Sequence, residues 1–296
     1  MPERPDLDLY VDHVARRVLG RKLIGIRIAS PFVLRTAAPA PQAFADQVVT
    51  GVRRLAKRLV LDLGADLHIV THLMITGRLH WRKPAAALPR RGGLAAFDFD
   101  TGALTLTEAG KKQRAAIHLC AGDDAMAAFD TTGIEVAEGD FEGFAAALRR
   151  ENHTLKRALT DQRILRGIGN AYSDEILWTA RLSPMKLSAK LSDGEMGALF
   201  FATTTVLQQW TARLAKQAGD AFPEKVTAFH AEMAVHGRFR QPCPRCAAPV
   251  QRIVYAENEA NYCAACQTGG RLLADRARSR LMKANWPKRL EDLDLP

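Results

Sequence analysis

The chain begins Met1-Pro2-Glu3. Removal of Met1, which a small second residue such as proline permits, leaves Pro2 as a free secondary amine beside a carboxylate. A secondary amine that attacks an aldehyde-like carbon gives a cationic iminium directly. An α-amino group has a reference pKa of about 7.7–8.0 against about 10.4 for lysine, so far more of it is unprotonated at neutral pH. Pro2 is therefore a candidate nucleophile because of where it sits, and Glu3 a candidate proton carrier at its side. A frayed terminus is the competing reading, and the rest of the chain decides between the two.

Four of the five cysteines form Cys243-x2-Cys246, sixteen residues, then Cys263-x2-Cys266. Two such pairs at this separation suit two knuckles that present four thiolates tetrahedrally to one zinc ion, at roughly 2.3 Å each. Four thiolates leave no open position, so the expected cofactor is a single structural zinc. A thioredoxin-like redox site needs one pair in a βαβ setting and does not fit. Cys120 ends an apolar run and reads as an ordinary buried thiol.

A third signal is Gly167-Ile168-Gly169-Asn170, followed by Ala171-Tyr172-Ser173-Asp174-Glu175. The glycines predict a tight turn into a helix whose first amides can bind a phosphate, with Asn170 at the cap. Such a grip positions a nucleic acid without reading its bases. Lys156 and Arg157 lie just upstream and add positive charge.

These residues need elements to hold them. The pattern predicts a helix over residues 6–20, then short segments separated by Gly, Asp and Pro at 23–28, 59–63, 67–70, 96–99 and 104–107. The first half thus reads as a β-rich domain led by a helix. Helical patterning takes over from Phe141, with segments at 144–149, 155–165, 170–180 and 193–218, the last opened by a Ser192-to-Glu195 capping box. Thr131, Thr132, Gly133 and Gly139 mark the boundary between the two halves, and a small third unit begins near Val235.

The 296 residues carry a formal charge of +10. From Ala234 onward there are 11 basic and 6 acidic residues, so this last fifth carries half of the net charge. Such a surface attracts polyanions. No run approaches the roughly 18 apolar residues of a membrane helix, and the charged start lacks the apolar stretch of a signal peptide. A cytoplasmic location, at the nucleoid if the source is bacterial, is the expectation.

Taken together, Pro2-Glu3, Lys57 within Arg53-Arg54-Leu55-Ala56-Lys57, His72-Leu73 before Thr76-Gly77, the Gly-Ile-Gly-Asn turn and the four-cysteine ribbon resemble the formamidopyrimidine-DNA glycosylase and endonuclease VIII (Fpg/Nei) family, in order and spacing. The resemblance runs from residue 2 to about 267. It implies an α+β multidomain fold: an N-terminal catalytic β-sandwich led by a helix (2–132), a helix-two-turn-helix DNA-binding domain (133–233), a zinc finger (234–268) and a basic C-terminal extension (269–296). It further implies a DNA repair enzyme, a glycosylase and abasic-site lyase that excises oxidised bases from damaged double-stranded DNA, as a monomer. Pro2 would attack C1′ and form the Schiff base, Glu3 would handle protons at the sugar oxygen and leaving group, and Lys57 would serve proton transfer and phosphate contact. Lys156 and Asn170 match phosphate-binding positions, His72 lies in the segment that lines the groove, and Met74 or Ile75 fills the void left by the extruded nucleotide.

The chain also departs from the family. Where the family inserts an Arg-Arg-Phe loop, it reads Thr107-Glu108-Ala109-Gly110-Lys111-Lys112-Gln113-Arg114, without an aromatic wedge. Where the zinc hairpin carries an arginine at its tip, it has Asn258, flanked by Glu257 and Glu259. Residues Leu272 to Met282 read as a basic helix that either contacts DNA or is merely solvated. An abasic-site lyase with weak base excision, and a non-catalytic binder of damaged DNA, remain alternative readings.

Overall fold

The computed structural model describes residues 1–110, 112–136, 140–255, 258–283 and 287–293. Lys111, Gly139, Ala256 and Glu257, on which parts of the sequence argument fell, lie outside the described residues. The chain divides into two compact units, Met1–Thr131 with Trp210–Ala228, and Thr132–Gln209 with Phe229–Pro296.

The first unit opens with α1 (Arg4–Val18), two residues earlier at each end than the pattern predicts, because Glu3 caps it and Pro5 fits its first turn. Leu7, Tyr10, Val14 and Val18 recur every three or four residues and are fully buried, an apolar stripe in which each side chain contributes about 1.5–3 kcal/mol. The Tyr10 hydroxyl accepts the Leu79 N–H at 3.2 Å.

Eight strands follow in two antiparallel sheets that form the β-sandwich. One has the order β1 (Leu23–Ile28), β6 (Gly93–Phe99), β7 (Gly102–Glu108), β5 (Gly77–Arg82). The other has the order β2 (Val49–Leu55), β3 (Arg58–Leu63), β4 (Leu67–His72), β8 (Ala116–Ala121). The short helix α2 (Asp123–Ala127) closes this part.

The second unit holds α3 (Phe141–Arg149), α4 (Leu155–Thr160), α5 (Asn170–Thr179) and the first part of α6 (Asp193–Ala218). The Ser192–Glu195 capping box forms, with N–H to side-chain oxygen distances of 3.0 and 3.2 Å. The predicted helix over 155–165 stops at Thr160, because Asp161 turns the chain and its carboxylate accepts the Arg163 N–H at 2.9 Å. A hairpin of β9 (Val250–Tyr255) and β10 (Asn258–Cys263) leads into α7 (Ala264–Thr268), and α8 (Arg276–Met282) lies in the C-terminal extension. The basic helix predicted from Leu272 is shorter than expected, since Leu272 and Leu273 pack with Ile253, Tyr262 and Ala264. Among the described residues no helix is long and apolar enough to cross a membrane.

Candidate active site and nucleic-acid interface

In the first unit the charges of Glu3 and Lys57 both act on the amine of Met1, which is the terminal amine before Met1 is removed. Pro2 and Glu3 are buried where α1 begins, and the Glu3 N–H donates to Asp6 Oδ2 at 2.8 Å. Burial lowers the pKa of the terminal amine below its ordinary value, the Glu3 and Asp6 carboxylates raise it, and the Arg78 and Lys57 cations lower it. Those four charges therefore lie near enough to the Met1 amine to act on it. Arg78 was not singled out from the sequence, although its place directly after the Thr76-Gly77 turn was a usable clue.

Lys57 is 8 % exposed, in the two-residue turn between β2 and β3. Ala56 beside it has φ of +52°. Arg54 fixes this turn against α1 by donating to Asp8 Oδ1 at 2.7 Å and to the Ala56 carbonyl at 3.0 Å. The position of Lys57 relative to Glu3 thus depends on an arginine three residues away.

The turn from β4 to β5 carries His72, Met74 and Ile75. Gly77 is obligatory there, because a Cβ would lie 2.2 Å from the Leu73 carbonyl oxygen. Met74 takes φ of +52°, a costly conformation for its side chain, whereas Ile75 projects and is 52 % exposed. The Met74 N–H donates to His72 Nδ1 at 3.2 Å, so the ring carries its proton on Nε2. Burial first, then Arg58, Lys57 and His118, push the His72 pKa down to about 4.

Since that value lies below the ordinary 6.5, the folded state holds the ring neutral where an unfolded chain would protonate it. The associated stability is full above about pH 6.5 and is lost as pH falls towards 4. Imidazole nitrogen NMR between pH 7 and 5 is expected to show a neutral His72 protonated at Nε2 throughout, and a midpoint near 6.5 would contradict this environment.

The loop lacking an aromatic wedge is held by Glu108, a buried carboxylate that accepts the Thr76 hydroxyl at 3.0 Å and the N–H groups of Arg114 and Ala115 at 2.7 and 2.8 Å. Glu108 thereby ties the Ile75 turn to both ends of that loop. The sequence showed this acid only as a departure from the family pattern.

In the second unit the Gly167–Gly169 turn forms, with Gly167 at φ +83°. Gln162 braces it by accepting the Gly167 N–H and donating to the Ile168 carbonyl, both at 2.8 Å. Gly169, not Asn170, caps α5. Asn170 is the first helical residue, and its Nδ2 donates to the Glu259 carbonyl at 2.9 Å.

Lys156 is corrected more fundamentally. It is buried, and its ammonium donates to the Asn170 carbonyl at 2.6 Å, Ser173 Oγ at 2.8 Å and Asp174 Oδ1 at 2.5 Å. An ammonium has three hydrogens. None remains for a phosphate, so Lys156 is an internal ion-pair partner. Asp174 also binds His236 Nδ1 at 2.8 Å and the Asn261 N–H at 3.0 Å. Its neighbour Glu175 accepts the N–H groups of Ala234, Val235 and His236 at 2.7–3.0 Å. Adjacent acids on α5 thus anchor both β10 and the segment leading to the finger.

Asn258 is exposed at the start of β10. Glu259, expected to repel phosphates, is engaged by Arg252 at 3.2 Å and by Asn261 Nδ2 at 3.2 Å.

The Sγ atoms of Cys243, Cys246, Cys263 and Cys266 lie within 4.8 Å of one another. Cys243 to Cys266 is 4.0 Å, while Cys246 lies 3.4 Å from both Cys263 and Cys266. A tetrahedron of thiolates at a Zn–S distance near 2.3 Å has edges of roughly 3.8 Å, so the four sulfurs can coordinate a metal. Burial opposes the Cys243 thiolate, but hydrogen bonds from the Arg245 and Cys246 backbone and the Trp178 indole outweigh it and bring the thiol down to about 7.

Three family models match the chain in order: the formamidopyrimidine-DNA glycosylase N-terminal domain over residues 1–116, its H2TH domain over 133–218, and the zinc finger found in FPG and IleRS over 240–269. A formamidopyrimidine-DNA glycosylase of Chloroflexus aurantiacus is 30 % identical over 278 residues, covering 90 % of this chain and 98 % of the relative. That of Salinispora arenicola is 30 % identical over 284 residues, covering 90 % and 96 %. Among solved structures, Lactococcus lactis Fpg in complex with abasic-site DNA superposes with a TM-score of 0.78 at 23 % identity, over 90 % of this chain and 99 % of that one. MutM in complex with DNA containing carbocyclic 8-oxo-G gives 0.79 at 23 % identity, over 90 % and 100 %. With an amino-terminal sandwich, a helical middle and a four-cysteine finger matched in sequence and fold, the chain belongs to the formamidopyrimidine-DNA glycosylase (Fpg/Nei) family.

Proposed function

We propose that this protein is a DNA repair glycosylase and abasic-site lyase that excises oxidised bases through a Schiff base on Pro2. The observation that carries this reading is the burial of Pro2, Glu3 and Lys57 in one unit, with the Glu3, Lys57 and Arg78 charges all acting on the Met1 amine one residue before Pro2. With Met1 removed, the Pro2 nitrogen attacks C1′ of the damaged nucleotide and the base departs. Glu3 delivers a proton to the sugar oxygen, the ring opens, and an iminium joins Pro2 to C1′. The iminium acidifies the neighbouring C2′–H, whose loss expels the 3′-phosphate. Lys57 serves proton transfer and phosphate contact beside this centre, and the neutral His72 offers its Nε2–H to the backbone.

Ile75, exposed on a turn fixed by Gly77 and Glu108, is the residue that enters the vacated stack. Asn170 has a second amide hydrogen besides the one given to Glu259, and it joins the exposed Asn258 as a backbone contact. The relatives solved with abasic-site and 8-oxo-G DNA make such duplexes the first substrates to try. A lyase with weak base excision is the second reading, favoured by the wedge-free loop that closes on Glu108.

Borohydride reduction of the iminium to a stable amine tests the assignment. Incubation with duplexes bearing 8-oxoguanine, thymine glycol or an abasic site is expected to trap an adduct that mass spectrometry places on Pro2. An adduct on the abasic duplex alone selects the second reading. No adduct from protein shown to lack Met1 rejects catalysis in favour of a damaged-DNA binder.

The four cysteines would hold one zinc ion, and because four thiolates would leave no coordination position open its role would be structural. Cys263→Ser is expected to lower bound zinc from one equivalent to well below half, and to weaken duplex binding by about tenfold or more. Unchanged affinity after zinc loss would remove the finger from the interface.

A further inference from the structure

The match to the zinc-finger family ends at residue 269, and the glycosylase relatives cover about nine-tenths of the chain. Two described stretches beyond that point, 270–275 and 288–293, are built onto the finger. Leu272, Leu273, Leu290 and Leu293 pack with Ile253, Tyr262 and Ala264 in one cluster. Leu272 N–H donates to the Lys288 carbonyl at 2.8 Å, and Leu290 N–H to that of Gly270 at 2.9 Å. The Tyr262 hydroxyl accepts the Leu273 N–H at 2.8 Å. Asp275, only 2 % exposed, accepts the Val254 N–H at 2.9 Å and so covers the outer edge of β9.

This framework sets two arginines against each other. Arg271 and Arg289 form an antiparallel bridge, which places like charges directly opposite, an unfavourable arrangement unless an anion lies between or beside them. Both are exposed. Glu291 reaches Arg289 at 2.6 Å, but this pair is 62 % and 73 % exposed and is screened by solvent. Arg280, Lys283 and Lys288 are exposed on the same extension. From Gly270 to the end there are seven basic residues and four acidic ones, and one of the acids is the buried Asp275. The surface is also next to the hairpin tip. Asp275 bonds to Val254, whose cross-strand partner Glu259 is adjacent to Asn258.

We propose that residues 270–283 and 287–293 form a second phosphate-gripping surface on the zinc hairpin, with the Arg271–Arg289 pair, Arg280 and Lys283 taking the backbone of the bound duplex. It supplies, beside the hairpin, the positive charge that the tip lacks at Asn258. The inference rests on the DNA-binding reading above. Phosphates carry no sequence information, so the extension strengthens binding to any duplex.

The salt dependence of binding tests it, since each phosphate contact adds about 0.9 to the slope of log K against log salt. The full-length protein and an R271Q/R280Q/K283Q/R289Q variant are titrated with a duplex containing a tetrahydrofuran abasic analogue. The variant is expected to keep its zinc and melting temperature, to lose about two or more from the slope, and to bind at least about tenfold more weakly at low salt. A second variant, R280Q/K283Q, leaves the hydrophobic brace untouched and is expected to lose about one to two from the slope. Slopes equal to wild type in both variants overturn the proposal while leaving DNA binding intact. Wild-type protein that binds no duplex overturns the proposal together with the reading on which it rests.

Discussion

Glu3→Gln is expected to slow base excision by about 10²–10⁴-fold while slowing cleavage of a preformed abasic site by less than about tenfold. The substitution keeps the length and shape of the side chain and an oxygen that can accept the Asp6 N–H of the capping box, and the Glu3 backbone N–H still donates to Asp6. What it removes is the proton. Excision from an intact nucleotide requires a proton at the sugar oxygen as the ring opens. An abasic sugar already equilibrates with its open aldehyde, so Pro2 can condense with it unaided. Single-turnover rates on a lesion duplex and on an abasic duplex measure the two steps separately, and borohydride trapping on the abasic duplex should persist. Equal losses on both substrates would show that Glu3 acts after the iminium forms, or serves only to cap α1.

Much of the candidate site was legible because the chemistry proposed for it depends on local sequence. Pro2 and Glu3 are adjacent, the cysteine spacing encodes two knuckles, and the Gly167–Gly169 turn follows from residues that tolerate it. The strands missed by the sequence reading, β2, β5 and β8, are those whose signals are mixed. Val49–Leu55 and Gly77–Arg82 contain two arginines each and a glycine, and Ala116–Ala121 places His118 among apolar residues. Register with already apolar neighbours, not composition, makes them strands. Lys156 shows the opposite failure. On a sequence it is a cation upstream of a phosphate-binding turn, yet Asp174 lies one turn into the next helix and claims it. No pattern of spacing distinguishes a lysine that meets solvent from one that meets a carboxylate 18 residues later. Likewise the charges of the extension were legible, but not the Arg271–Arg289 pairing, which depends on the chain returning to the finger at Lys288.

Asp174→Ala is expected to destabilise the second unit by about 3–5 kcal/mol, because it strands the Lys156 ammonium in a fully buried position. In a unit of this size that corresponds to a melting temperature lower by about 10 °C or more. The effect exceeds that of an ordinary lost hydrogen bond since the same carboxylate binds His236 and the Asn261 N–H. Replacing both charges, as in Lys156→Met with Asp174→Asn, should recover a large part of the loss, because the penalty lies in the unpaired charge rather than in the absent pair. The functional consequence differs from that of Glu3→Gln. His236 precedes the finger and Asn261 belongs to β10, so the hairpin loses its register on α5 and duplex binding weakens. The chemistry proposed at Pro2 involves other residues, in the first unit. At temperatures where the variant is folded, the DNA concentration for half-maximal rate should therefore rise while the single-turnover rate at saturating DNA stays near wild type, the signature of lost uniform binding. A fall in the saturated rate at unchanged half-saturation would mean instead that the buried network reaches the chemical step.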